Sequence, residues 1–159
     1  MNDNHYIVEK ALLRKGLVSG WYGNFISFPH DLYFISLIEI GPDDYFTYPS
    51  IGVAGAYGRA KKAHQLLIEK TEREIRKLGN YIDNIDKMIC EKEHSIKINK
   101  MDINKCIIPR RYYLQTGTFS HGVINVKTIK KKYEILFPEP KKVIPELKDY
   151  LVKNFYSVK

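Results

Sequence analysis

The chain of 159 residues is long enough for one domain with its own hydrophobic core, so it needs no disulfide staple to fold. Its net charge of +8 comes from 26 Lys and Arg against 18 Asp and Glu, and residues 100–159 hold the whole excess, with 13 basic against 5 acidic side chains. No run of about 18 apolar residues is present, and neither Cys90 nor Cys106 has a second Cys or a His at metal-ligand spacing, which excludes a membrane-spanning helix and a zinc module.

In chain order, Ile7, Val8, Ala11 and Leu12 fall on one face of a helix predicted over 4–15, with Asn and Asp as caps and Gly16 to end it. After Gly20 and Gly23, residues 24–28 and 32–40 read as extended segments divided by Pro29, His30 and Asp31. The second, LYFISLIEI, has the apolar and aromatic make-up of a central strand. Gly41-Pro42-Asp43-Asp44 is turn chemistry. From Ala54 the period changes: Ile68, Thr71, Ile75, Leu78, Ile82, Ile85 and Ile89 follow steps of three and four. That spacing predicts a helix of about 35 residues, bent at Gly79-Asn80, whose isoleucine seam packs on the sheet or on another helix.

Strands are predicted over 95–99 and 105–108, followed by an antiparallel meander of 111–115, 123–129 and 133–137 with turns at 116–122 and 130–132. Pro145 fits the first turn of a final helix through Tyr156, with Leu147, Leu151 and Phe155 on one face. The expected fold is α+β in a single domain, 1–159: an antiparallel sheet packed against one long central helix, with shorter N- and C-terminal helices. The charged N-terminus lacks the apolar stretch of a secretory signal, and both cysteines are expected as buried free thiols of a reducing cytosol.

No catalytic motif emerges. Gly52, Gly55 and Gly58 in SIGVAGAYGRAKKAH (50–64) match the spacing of neither a Walker loop nor a dinucleotide loop, and no strong strand directly precedes them. Small residues that let the long helix lie close to a neighbour are the simpler account. His5, His30, His64, His94 and His121 are scattered, without a metal-ligand or nucleophile–base pattern. Pro42-Asp43 and Glu146-Leu147-Lys148 imitate a metal nuclease only in letters, since one is in a turn and the other in a helix. Neither a cofactor nor a metal is expected.

The segment from Gly16 to Gly58 has no Lys or Arg and carries 10 of the 20 aromatic residues, so it is either the heart of the core or a sticky face. As a face it would offer Trp21, Tyr22, Asp43, Asp44 and Tyr45 near turns. A second candidate contact set is basic: Arg59, Lys61 and Lys62 at the start of the long helix, then Arg110, Arg111, Lys130, Lys131 and Lys132. Such residues suit phosphates or an acidic protein surface, and three lysines at a hairpin tip also keep a sheet edge from aggregating.

A composition rich in Ile, Lys, Tyr and Asn is similar to that of proteins from AT-rich Gram-positive bacteria and their phages. With the stretch GWYGNFISFPHDLYFISLIEIGPDDYFTYPS (20–50), the small size and the α+β layout, the chain resembles anti-CRISPR proteins that inhibit type II-A Cas9. These share no common motif, so the resemblance assigns no residue. It implies a non-enzymatic, cytosolic inhibitor whose partner is a Cas9-type effector with its guide RNA. A charge of +8 is wrong for a mimic of DNA, and points instead to an acidic docking surface such as a nuclease domain, or to the guide RNA. The other expectation is a basic accessory protein that contacts nucleic acid directly.

Overall fold

Two close approaches of backbone to glycine and three register shifts shape the sheet. The computed structural model describes residues 4–16, 19–41, 54–108, 113–114, 120–137, 140–154, 156 and 158. Among them are eight strands: β1 (Tyr6–Arg14), β2 (Gly20–Ser27), β3 (Asp31–Ile40), β4 (Ile96–Asn99), β5 (Ile103–Ile107), β6 (Tyr113–Leu114), β7 (Ser120–Thr128) and β8 (Lys132–Phe137). Seven lie in the order β4-β3-β2-β1-β8-β7-β5, every pair antiparallel, and β6 pairs with β7. The described helices are α1 (Ala54–Leu78), α2 (Ile85–Glu91) after a 3-10 turn at Ile82–Asn84, and α3 (Pro140–Lys153). The fold is thus α+β, built on a large curled antiparallel sheet.

Alternation along the strands sends apolar side chains to both faces. Leu13, Trp21, Phe25, Phe34, Ile124, Val126, Ile135 and Phe137 share one core with Ile144, Leu147 and Leu151 of α3. Their neighbours Tyr22, Ile26, Tyr33, Ile35, Ile38 and Leu136 face the other way, where Leu67, Leu78, Ile82, Ile85, Met88 and Ile89 of the α1–α2 stretch pack on them. Strand β2 is therefore buried at every residue. The aromatic segment proves to be the heart of the core through Trp21, Tyr22, Phe25, Tyr33 and Phe34.

Position 4–15 is corrected from helix to strand, and the reason is a bulge. Val8 pairs with Phe25 and Ala11 with Gly23, so two residues of β1, Glu9 and Lys10, oppose one of β2, and Lys10 takes φ 57°. Tyr6, Val8, Ala11 and Leu13 then face one core while Ile7 and Leu12 face the other. The extra residue converts a period of two into a mixture of twos and threes that imitates helical spacing.

The expected long helix is also corrected. Gly79 adopts φ 59° and ends α1, the usual left-handed stop, and the chain resumes as the 3-10 turn and α2. The isoleucine seam keeps its direction across the break, with Thr71 and Ile85 buried. Thr71 survives in it because its hydroxyl donates to the Leu67 carbonyl at 2.8 Å. The buried Tyr81 anchors the break, its hydroxyl accepting 2.8 Å from the amide of Asn24 on β2. Helix α3 begins at Pro140, so Pro145 lies inside it and not in its first turn. The expected strands over 24–28, 32–40, 95–99, 105–108, 123–129 and 133–137 all appear, and of 111–115 only Tyr113 and Leu114 are described. Pro42–Asp44, Gly52, the residues 116–119 and Phe155 lie outside the described residues. Cys106 is buried as expected, but Cys90 is exposed on α2, a correction of its expected burial.

Lysine and tyrosine tie the end of α3 to the sheet. Lys100 donates from Nζ to the Asn154 carbonyl at 2.6 Å and the Pro29 carbonyl at 3.3 Å, placing a cation at the negative end of the helix. Tyr156 donates to the Phe28 carbonyl at 2.8 Å.

Two outcomes follow from this packing. A β-carbon on Gly23 would stand 1.9 Å from the Ile35 carbonyl oxygen. Gly23→Ala is therefore expected to lower unfolding free energy by about 2 to 4 kcal/mol in urea titration, whereas Gly41→Ala, where a β-carbon meets nothing within 4 Å, shifts it by less than about 0.5 kcal/mol. Burial also pushes the Cys106 thiol up to about 12 from 9.0, and holds the hydroxyls of Tyr6, Tyr81, Tyr150 and Tyr156 above their ordinary 10.0. The unfolded chain releases these protons first, so their stabilisation is complete below about pH 9 and is lost as pH rises towards the folded values. The urea midpoint should fall steadily between about pH 9 and 11.

Candidate polyanion-binding face

The face of the sheet opposite α3 is graded in three rows, each fixed by strand register. The innermost row is apolar: Val123, Leu136, Leu12, Tyr22 and Ile38 stand opposite one another across β7, β8, β1, β2 and β3. Two residues outward, Ile107, Asn125, Glu134 and Arg14 form a mixed row across β5, β7, β8 and β1. The outermost row is basic. Lys105 on β5 pairs with Lys127 on β7, which pairs with Lys132 on β8.

Partners facing each other in antiparallel strands project to the same side, so these three ammonium groups share one face, with Lys127 and Lys132 exposed and Lys105 half-buried. Among the described residues no ion pair engages any of the three. The nearest carboxylate in the register, Glu134, is held by Arg14 at 3.3 Å. Like charges directly opposite in a sheet repel, by about 0.5 to 1 kcal/mol per pair at such separations in water. Among the described residues no carboxylate offsets this local cost.

An open depression of about 370 Å³ adjoins the row, lined by Arg14, Lys15, Gly16, Lys132 and Glu134. Arg14 is fixed there by its second bond, from Nε to the Gly16 carbonyl at 2.8 Å. The three-residue tip after β7 is built by Thr128. Its backbone N–H donates to the Lys131 carbonyl at 2.9 Å, and its hydroxyl oxygen accepts from the Lys130 and Lys131 amides at 3.3 and 3.1 Å. Lys130 is exposed, and Lys131 folds back with Nζ 4.9 Å from the Tyr133 ring centre.

The sequence-derived contact residues thus separate. Lys130, Lys131 and Lys132 do stand exposed at a hairpin. Trp21 and Tyr22, expected near turns, are instead 9% and 8% exposed within β2. Trp21 lies between His94, stacked at 4.6 Å, and the Lys15 ammonium at 5.3 Å, so little of its ring faces solvent. Asp43, Asp44, Tyr45, Arg110 and Arg111 lie outside the described residues, as do the side chains of Arg59, Lys61 and Lys62 on α1. Lys105, Lys127 and Arg14 are not among the contact residues expected from the sequence. The hairpin length alone places Lys127 opposite Lys132, but Lys105 joins them only through the non-sequential β5–β7 pairing.

Elsewhere among the described residues, Lys97, Asp31, Asp86 and the Tyr33 hydroxyl meet in one ion-pair cluster that joins β3, β4 and α2. His5 packs on Phe28 at 5.5 Å, and Glu146 accepts from the Tyr6 hydroxyl at 3.0 Å. Among the described residues no group of three or more His, Cys, Asp or Glu side chains is placed to hold a metal ion, and no helix is long and apolar enough to cross a membrane. Comparison with models of known protein families finds no match, and comparison with curated proteins finds none either.

Lys127→Gln removes both like-charge pairs of the row and should stabilise the isolated protein by about 1 to 2 kcal/mol at low salt. The gain should vanish in about 1 M salt, where the screening length is near 3 Å. Urea titration of both proteins at two ionic strengths measures it.

Proposed function

We propose that the protein is a non-enzymatic inhibitor that docks its Lys105–Lys127–Lys132 face on the guide RNA of a Cas9-type effector and so blocks DNA cleavage. The observation that carries this reading is the lysine row, which is repulsive by itself and is relieved by an anion. Neighbouring strands are about 4.8 Å apart, so the row extends about 10 Å, the rise of roughly three nucleotides along one strand. Regularly spaced phosphates suit such a row better than the irregular carboxylates of a protein surface. The resemblance to anti-CRISPR proteins supplies the effector, and the charge of +8 argues for meeting nucleic acid over imitating it.

The same row also fits a second reading, a basic accessory protein that binds free nucleic acid. One experiment separates the two: binding to a loaded Cas9 complex, to free RNA and to duplex DNA, each at two salt concentrations, together with a cleavage assay. The inhibitor reading expects saturable binding to the loaded complex and loss of cleavage at stoichiometric ratio. Three to four phosphate contacts expect log affinity to fall with log salt at a slope of about −2 to −4. Lys105→Glu/Lys127→Glu/Lys132→Glu should abolish both effects while leaving the far-ultraviolet circular dichroism unchanged. Unimpaired cleavage at saturating protein removes the inhibitor reading, and equal binding by the charge-reversed variant removes the lysine row from it.

A further inference from the structure

Among the described residues the two most exposed large hydrophobic side chains, Met101 at 92% and Ile129 at 73%, are neighbours. Met101 lies in the 3-10 turn Lys100–Asp102 that leads into β5, and Ile129 is the first residue of the tip after β7. The Ile129 N–H donates to the Asp102 carbonyl at 3.2 Å, which fixes the two segments side by side. With the Thr128 bonds to Lys130 and Lys131, this makes the tip an ordered prong. Neither side chain is part of a core cluster, so most of their apolar surface stays in water.

The lysine row begins one residue behind this prong: Ile103 pairs with Thr128, and Lys105 with Lys127. A partner for the whole surface must therefore offer an apolar slot bordered on one side by a line of negative charge. A base-pair step entered from the minor groove has that composition, since aliphatic wedges such as Ile and Met part the stacked bases while cations hold the flanking phosphates. An anionic lipid surface would call for cations around the prong on all sides. Here Lys105, Lys127 and Lys132 form a line on one face, exposed Lys130 stands at the tip, Lys131 is folded onto Tyr133 on the other face, and exposed Asp102 interrupts the positive charge beside the prong.

We propose that Met101 and Ile129 form a wedge that enters a nucleic-acid duplex next to the strand held by the lysine row, so that the protein prefers double-stranded to single-stranded nucleic acid and bends it. This rests on the reading that the row meets phosphates. Asp102 opposes it electrostatically, so Asp102→Asn should tighten duplex binding by about threefold.

The test compares the wild-type chain with Met101→Ser/Ile129→Ser, two exposed changes whose folding is checked by urea titration. The probes are an end-labelled duplex of about 20 base pairs, the corresponding single strand, and phosphatidylserine vesicles. The wedge expects the wild type to bind the duplex more tightly than the single strand and to shorten its end-to-end distance by energy transfer. It expects the double variant to lose at least about tenfold in duplex affinity, and the bend, with single-strand affinity and salt slope unchanged. Duplex binding and bending that survive the double substitution overturn the wedge and leave the lysine reading standing. A wild type that binds no nucleic acid overturns both, and binding to the vesicles without binding to the duplex assigns the prong to a lipid surface instead.

Discussion

The approach of the Ile35 carbonyl to Gly23, closer than any side chain allows, is the constraint on which the arrangement of the sheet depends. On one side of β2, Gly23 pairs with Ala11 directly after the β1 bulge. On the other it pairs with Ser36, where the register of β3 shifts past Leu37. Two bulges flanking one glycine on the interior strand β2 give strong local bending and twist to the curled sheet. The curl has a cost in sequence, because Gly20 is held in the same way against the Leu13 carbonyl. It also has a use: the bulged Lys10 reaches Glu72 of α1 and pins that helix over β1, β2 and β3. Strands β8, β7 and β5 are left to carry the exposed lysines on the same face.

The legibility of the sequence followed the same division. Strands with a concentrated apolar and aromatic make-up, such as β3 and β8, and the punctuation that bounds them are read directly from the sequence. Strand β1 is not, because one inserted residue gives its apolar positions helical spacing, and nothing local in YIVEKALLR distinguishes the two. The isoleucine spacing leaves open whether the seam meets the sheet or another helix and reads as one helix, whereas the stretch packs on the sheet and is broken after Leu78. Gly79 costs only about 1 kcal/mol inside a helix, and its left-handed stop goes with a long-range contact two residues on, between Tyr81 and Asn24 of β2, that local sequence does not announce. The lysine row was legible only in part. Lys130 to Lys132 announce themselves as a run, whereas the positions of Lys105 and Arg14 in the rows depend on which strands become neighbours.

Net charge alone would have credited every lysine of the C-terminal third equally, and the structure sorts them by their partners. Lys100 completes the end of α3 and stands 5.0 Å from the Tyr156 ring. Just before this third, Lys97 joins β4 to α2 and β3 through Asp86 at 2.9 Å and Asp31 at 3.5 Å, with the Tyr33 hydroxyl 3.3 Å from both carboxylates. The Tyr33 hydroxyl and the Asp86 carboxylate hold the Lys97 ammonium above its ordinary range, which secures its charge, and Asp86 is lowered by the same contact. These cations are spent on the fold, in pairs and on helix ends where they stabilise it.

Lys130 at the hairpin tip and Lys141, Lys142 and Lys148 on α3 stay exposed, whereas Lys105, Lys127 and Lys132 are aligned across three strands. A sheet that needed only solubility at its edge would gain as much from alternating signs across the strands, which attract, as from three lysines opposite one another, which repel. Glu134 shows that the sheet does accept an acid among these strands, yet it stands two residues inward and is bound to Arg14. Local rules of this kind are broken where function requires it, and the expense is borne by the rest of the structure. Here the doubly covered core of β1 to β3 bears it, so the half of the molecule that is most fully packed supports the half that is electrostatically unsatisfied.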